Sequence, residues 1–148
     1  DNILTNVERL RFSDENIALD IGGTAGQAYR IYQAAFDRAP DLAGLGYWIH
    51  LLDQGRSLTD IAAGFVDSRE FRQLYGIAPA AGELAARMYA NVLHRVPDQA
   101  GLAFWTHILD NHSATTAQVL AAISESPENQ AGVAALIGHG IAYIPFVA

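Results

Sequence analysis

The sequence predicts a mainly α protein: two homologous helical repeats packed as one orthogonal helical bundle, with a short β-hairpin at the N-terminal end. Three observations predict it. The stretch "RAPDLAGLGYWIHLLD", Arg38 to Asp53, returns as "RVPDQAGLAFWTHILD", Arg95 to Asp110, with 10 of 16 positions identical. Around both copies apolar residues recur every three to four positions, the period of an amphipathic helix. Ahead of them, over "NVERLRFSDENIALDI", apolar and polar residues alternate instead, as they do in strands.

Residues 1–26 hold the hairpin and a linker. Val7, Leu10 and Phe12, then Ile17, Leu19 and Ile21, alternate around the turn-prone "SDEN", and "GGTAG", Gly22 to Gly26, breaks the pattern. Residues 27–76 form the first repeat. Tyr29, Tyr32 and Phe36 make an aromatic stripe on a helix that must stop before Pro40, because a proline pushes the residue before it out of helical geometry. Asp41 stands where the next helix needs an N-cap, and Leu45, Trp48, Ile49 and Leu52 share its apolar face. Gly55 ends that helix; Leu58, Ile61, Ala62, Phe65 and Val66 mark a third, and Ser68 caps a fourth carrying Phe71, Leu74 and Tyr75.

Residues 77–138 repeat the scheme. Met88, Tyr89, Val92 and Leu93 mark the first helix, and Asp98 caps a second that buries Leu102, Trp105 and Leu109. After a one-residue insertion near Ser113 to Thr116, "AQVLAAISES" aligns with "TDIAAGFVDS". Ser126, Pro127 and Glu128 supply a cap, a proline at the first helical position and an early acid for a last helix with Val133, Leu136 and Ile137. Residues 139–148, ending "HGIAYIPFVA", read as an extended tail. A repeat of this length implies two similar units that bury their faces against each other.

Composition narrows the function. The 148 residues suffice for one compact domain, and no apolar run approaches the roughly 20 residues of a membrane-spanning helix. The net charge is −7, and every one of the nine basic residues is a scattered Arg, a balance that disfavours nucleic acid and anionic membrane as partners. The absence of Cys excludes disulfides, thiolate metal sites and Cys nucleophiles. The opening "DNILTNVERL" reads as the interior of a longer protein, so the lack of a leader there carries no weight.

Each repeated residue has a structural and a chemical reading. Asp41 and Asp98 are expected to cap helices rather than act as general bases. Arg38 and Arg95, three residues earlier near a helix C-terminus, are expected to meet the helix dipole and pair with those carboxylates. Gly44 and Gly101 sit in the first helical turn, where glycine costs roughly 1 kcal/mol against alanine, so a close approach by the preceding helix is expected there. Trp48 and Trp105 fall on the apolar stripe and are expected in the core, each indole N–H bonded to a backbone acceptor, although an indole face can also stack on a sugar. His50 with Asp53, and His107 with Asp110, lie at i, i+3 on the polar side of their helices, where the two side chains can touch. No H-E-x-x-H, Cys/His cluster or G-x-S-x-G accompanies them, so a hydrolase built on these pairs is the least favoured reading. "GGTAG" has neither the lysine of a P-loop nor G-x-G-x-x-G spacing.

The segment "YRIYQAAFDRAPDLAGLGYWIHLLDQGRSLTDIAAGFVDSREFRQLYG" resembles DUF4214, a bacterial domain of unknown function, through its Arg-x-Pro-Asp-x-x-Gly-Leu-x-x-Trp core and Ser-x-Glu-Phe ending. The second copy, Leu84 to about Asn129, keeps the core but ends "SPEN", with Asn129 in place of Phe, so its last helix is expected to pack differently. The flanks are similar to those around calcium-binding RTX repeats of large secreted proteins. The resemblance implies an extracellular or cell-surface location, export by type I secretion machinery, or a place in a surface-layer or adhesin-like protein. The glycine-aspartate nonapeptides that hold calcium in such proteins are absent from this sequence; Asp14, Glu15 and Asp20 are the carboxylates a calcium ion would find, and a solvated turn is the plainer reading of them.

The expected function is therefore a noncatalytic extracellular interaction or secretion-associated module, with no cofactor beyond calcium and with another protein as partner. The alternative is a module that binds surface polysaccharide, with Tyr47, Phe104 or Tyr143 stacking on sugar rings. His50, Asp53, His107 and Asp110 are the polar side chains that architecture leaves unexplained.

Overall fold

The computed structural model describes residues 9–147. Strands β1 (Arg9–Arg11) and β2 (Asn16–Ala18) are followed by helices α1 (Thr24–Phe36), α2 (Leu42–Asp53), α3 (Leu58–Val66) and α4 (Arg69–Tyr75). The second half contains α5 (Ala81–Met88), running straight into a π turn (Tyr89–Leu93), then α6 (Gln99–Asp110), α7 (Thr116–Ser124) and α8 (Pro127–Ile137), and closes with β3 (Ile141–Tyr143). The protein is mainly α, with one small antiparallel sheet in the order β1-β2-β3.

Side-chain caps define most helix starts. Asp41, Ser57, Ser68, Thr115 and Ser126 each accept a hydrogen bond from a backbone N–H three residues on. Each such cap contributes about 1 kcal/mol. Thr115 and Gln118 add the reciprocal bond of a capping box. Both first helices of the repeats stop the same way: Asp37 (φ 53°) and His94 (φ 54°) turn left-handed and throw the chain towards the following Pro-Asp. The equivalence is imperfect, because the second of these helices ends in a π turn and the first stays α-helical.

Helix α1 is the centre of the molecule. It packs against α2, α3, α4, α7, α8 and the π turn, and Ala25, Ala28, Ile31, Ala34 and Ala35 on it are almost wholly excluded from solvent. Its small side chains let the other helices approach closely. Helices α3 and α7, which occupy equivalent places in the two repeats, pack on each other, and Ile61, Ala62 and Phe65 on the first and Val119, Leu120 and Ile123 on the second are buried. The repeats thus share one core.

Several expectations change. Helix α1 begins at Thr24, inside the expected "GGTAG" linker. The tail is a third strand: Ile141–Tyr143 pairs with Asn16–Ala18 and buries Ile141 and Tyr143. In the hairpin, Asn16 and Ala18 are the buried side chains of β2, whereas Phe12 and Leu19 are exposed, and Val7 lies outside the described residues. The apolar Ile17 is half-buried on the other face of β2, so the alternation of apolar residues does not mark the inward side. Helix α6 buries none of its residues fully, so Leu102, Trp105 and Leu109 are only half-buried. It packs chiefly on α5 and lacks the strand that backs α2.

One charged contact ties the repeats together. Arg30 on α1 is 4% exposed; its Nη2 donates to Glu125 at the end of α7 (2.8 Å), its Nε donates to the other carboxylate oxygen, and its Nη1 donates to the Ile21 carbonyl (2.8 Å). A buried guanidinium is tolerated because the carboxylate and carbonyl satisfy its donors. Glu125→Ala leaves that charge unpaired and is expected to cost about 3 kcal/mol. The loss should appear as a lower urea midpoint with an unchanged slope.

Candidate functional site

The sheet is fastened to the helices by Arg9. Its Nε donates to Asp20 (2.8 Å), its Nη1 to Asp53 at the end of α2 (2.7 Å), and its Nη2 to Asp20 (2.9 Å) and the Thr24 hydroxyl (2.8 Å). Asp20 also accepts from the Ala25 N–H at the start of α1. Burial pushes the Asp20 carboxyl up, but the hydrogen bonds from Arg9 and Ala25 and the adjacent positive charge outweigh it and hold the group below the ordinary carboxylate range. Asp53 follows the same balance, with Arg9 and the Thr24 hydroxyl on the favourable side. Hydrogen bonding to Asp20, then the pairing with Asp53, raises Arg9 in turn.

Asp20 is therefore neutralised by a guanidinium in the place a cation would take. Asp14 lies exposed and Glu15 half-buried in the β1–β2 turn, and the described residues contain no group of three or more His, Asp or Glu side chains placed to hold a metal ion.

Beside this junction lies a cleft of about 260 Å³, with Arg11, Asn16, His50, Asp53, Tyr143 and Phe146 around it. Three separate parts of the chain build it: β1 and β2, α2, and the residues after β3. The Asn16 amide reaches the Tyr143 hydroxyl at 3.4 Å across the β2–β3 pair. Past β3 the chain turns onto α2, where the Ile144 N–H donates to the Leu42 carbonyl (2.9 Å). Gly46 permits this contact, since a Cβ there would collide with the Ile144 carbonyl oxygen. Phe146 then stands with its ring centroid 5.0 Å from Tyr47 and 5.1 Å from His50. As whole residues, Phe146 is 41% exposed and Tyr47 37%.

The expected His-Asp contacts do not form. Asp53 is taken by Arg9 and Thr24, and His50 lies against Phe146 instead. In the second copy His107 meets the Asn111 amide at 2.9 Å, and Asp110 makes no ion pair among the described residues. Among the described residues no strand or tail packs extensively on α6; Phe104, the counterpart of Tyr47, is 55% exposed, and Ala103 replaces Gly46. The structure separates the two copies: the cleft at the first is built with the sheet and the tail, whereas the end of α6 borders a different, open hollow of about 400 Å³ with Pro79, Leu84, Asp110 and Thr115 around it.

The remaining repeated residues are architectural, with corrections. Asp41 caps α2 through the Gly44 N–H (2.8 Å), whereas Asp98 holds the N-cap backbone conformation without a side-chain cap bond. Arg38 pairs with Glu70, and Arg95 with Glu128, at the starts of α4 and α8, not with the aspartates after the prolines. Each guanidinium also covers a tyrosine ring, Tyr32 at 4.9 Å and Tyr89 at 5.0 Å. This double contact recurs because Arg, Tyr and Glu all recur. A Cβ at Gly44 would crowd the capping Asp41 carboxylate, not the preceding helix; at Gly101 it would meet both Asp98 and the Tyr89 hydroxyl of the preceding helix. Trp48 is half-buried, edge-on to Phe65 at 4.6 Å, and the Trp105 indole donates to the Tyr89 hydroxyl (3.1 Å) rather than to backbone.

The model of the family described as "Domain of unknown function (DUF4214)" matches residues 26–75 and 62–133. The chain belongs to the DUF4214 family. No curated protein and no solved structure matches it.

The two DUF4214 copies differ most in their last helices. In the first, Phe71 and Tyr75 stack at 4.2 Å, and the Tyr75 hydroxyl donates to the Ala34 carbonyl; burial pushes that phenol up to about 12. In the second, Asn129 and Val133 stand at those places, Asn129 turns its amide to the Ser124 carbonyl (2.7 Å), and a groove of about 270 Å³ opens between α8 and the π turn. Asn129 in place of Phe was the visible signal for this difference. Arg9, Arg11, Asn16 and Phe146 carried no such signal, because only the sheet brings them to α2.

Gly46→Ala should expel the tail while sparing the helices: protection of the Ile144 amide from hydrogen exchange should fall to that of an exposed strand, with helical circular dichroism unchanged. The Arg9 junction should depend on acidity. Because the Asp20 and Asp53 carboxyls are held below the ordinary carboxylate range in the folded chain, their contribution is fully present above that range and lost as pH falls through the depressed values. The protection of the β1 and β2 amides from exchange, relative to the intrinsic rate at each pH, should fall as the solution is acidified below the ordinary carboxylate range, and Asp20→Asn with Asp53→Asn should remove that dependence.

Proposed function

We propose that the chain is a noncatalytic recognition module of a secreted or cell-surface protein, with the cleft beside α2 as its binding site. The observation that carries this reading is the fate of the first His-Asp pair. Asp53 is committed to Arg9 and Thr24, so it cannot orient His50 for proton transfer, while His50 and the partly exposed Phe146 border a polar cleft. Such a mix of aromatic faces and fixed polar groups suits binding. The shared core and the Arg30–Glu125 contact make the two repeats a stiff support for it. The acidic, cysteine-free composition accords with passage through type I secretion machinery, and export is part of the same proposal.

Labelled protein applied to glycan and peptide arrays is expected to bind saturably on at least one of them, and Phe146→Ala is expected to abolish that binding. Binding on neither array, binding indifferent to Phe146→Ala, or a hydrolytic turnover lost in His50→Ala would overturn the reading.

A further inference from the structure

We infer that the cleft bounded by Arg11, His50, Asp53 and Phe146 takes an uncharged saccharide ring. The inference rests on the recognition reading above and names its ligand class.

The charges around the cleft select against ions of either sign. Arg9 is consumed by Asp20, Asp53 and Thr24, which leaves one carboxylate charge beyond the guanidinium it faces. Arg11 makes no ion pair among the described residues and brings the four groups, Arg9, Arg11, Asp20 and Asp53, to neutrality. An anionic ligand would meet Asp53, whose side chain is 42% exposed, on a molecule of net charge −7. A cationic ligand would compete with Arg9 for carboxylates already paired. A neutral ligand with many hydroxyls avoids both penalties.

The chemistry of the border fits the same class. Asp53 offers acceptor lone pairs and Arg11 only donors, so adjacent hydroxyls, each both donor and acceptor, can be satisfied on both sides. His50 adds a ring nitrogen. Phe146 lines the cleft beside these groups and is 41% exposed as a residue, and its ring meets Tyr47 at 70° with centroids 5.0 Å apart. A pyranose combines those needs: an apolar C–H face for the ring and a rim of hydroxyls for the polar groups. At about 260 Å³ the cleft lies just under the roughly 300–1,000 Å³ range of small-molecule sites, the size for a single ring.

The second copy shows which features are specific. Phe104, His107 and Asp110 repeat the helix residues, but among the described residues the hollow beside Asp110, with Pro79, Leu84 and Thr115 around it, holds neither an Arg nor a Phe. One ring per chain is therefore expected.

The test is calorimetric titration of the intact chain with methyl β-galactoside, methyl α-glucoside, methyl α-mannoside and galacturonate. At least one neutral glycoside should bind at one site with millimolar affinity, and galacturonate at least about tenfold more weakly. Phe146→Ala and Arg11→Ala should each weaken the glycoside about tenfold or more, and Ile77→Ala, on a distant exposed residue, should change nothing. Galacturonate binding as tightly as the glycosides, or no glycoside binding up to tens of millimolar, about the weakest useful range, would overturn the inference. If the glycosides fail while a peptide bound on the array is still lost in Phe146→Ala, the saccharide is wrong and the recognition site stands.

Discussion

The backbone of Ile141–Tyr143 pairs antiparallel with Asn16–Ala18, and the asymmetry of the molecule follows from that pairing. It joins segments more than a hundred residues apart in sequence, so its loop-closure entropy is offset only because the helices between already bring the two ends together. Once β3 is seated, the next residues run over α2 and place Phe146 against Tyr47 and His50. A two-fold repeat thereby acquires one covered helix, α2, and one uncovered helix, α6.

The contacts that hold this arrangement are of unequal weight. The Arg38–Glu70 and Arg95–Glu128 pairs are exposed and contribute little by charge alone; their use is to fix the turn between helices by clamping a tyrosine ring beneath the guanidinium. Arg30–Glu125 is different, since it is buried between α1 and α7 and its loss would strand a charge. Arg9 stands between these cases. It donates to two carboxylates and a hydroxyl at the junction of β1, α1 and α2, and in doing so removes Asp53 from any partnership with His50.

The repeated motif is thus one of construction at most of its positions. Asp41 caps, Trp48 and Trp105 wedge between helices, and the arginines brace the turns. His50 and Asp53 are drawn into a new setting, and they are drawn there by Phe146, Arg9 and Thr24, outside the repeated motif. The groove beside α8 has the opposite origin: it arises within the repeat, from the replacement of a stacked aromatic pair by Asn129 and Val133.

The sequence by itself determined the helices, because local chemistry does: Ser57, Ser68, Thr115 and Ser126 cap wherever they stand before an apolar period, and the prolines stop what precedes them. It also made the equivalence of the repeats and the difference at Asn129 legible. The tertiary structure alone decided the third strand, the inward face of β2, the partners of Arg9, Arg30, Arg38 and Arg95, and the cleft. Strand pairing and ion pairing join residues distant in sequence, and neither leaves a local period to read. For the same reason His50 and His107 look alike in the sequence and differ in the fold: their helices are copies, but only one of them meets the sheet.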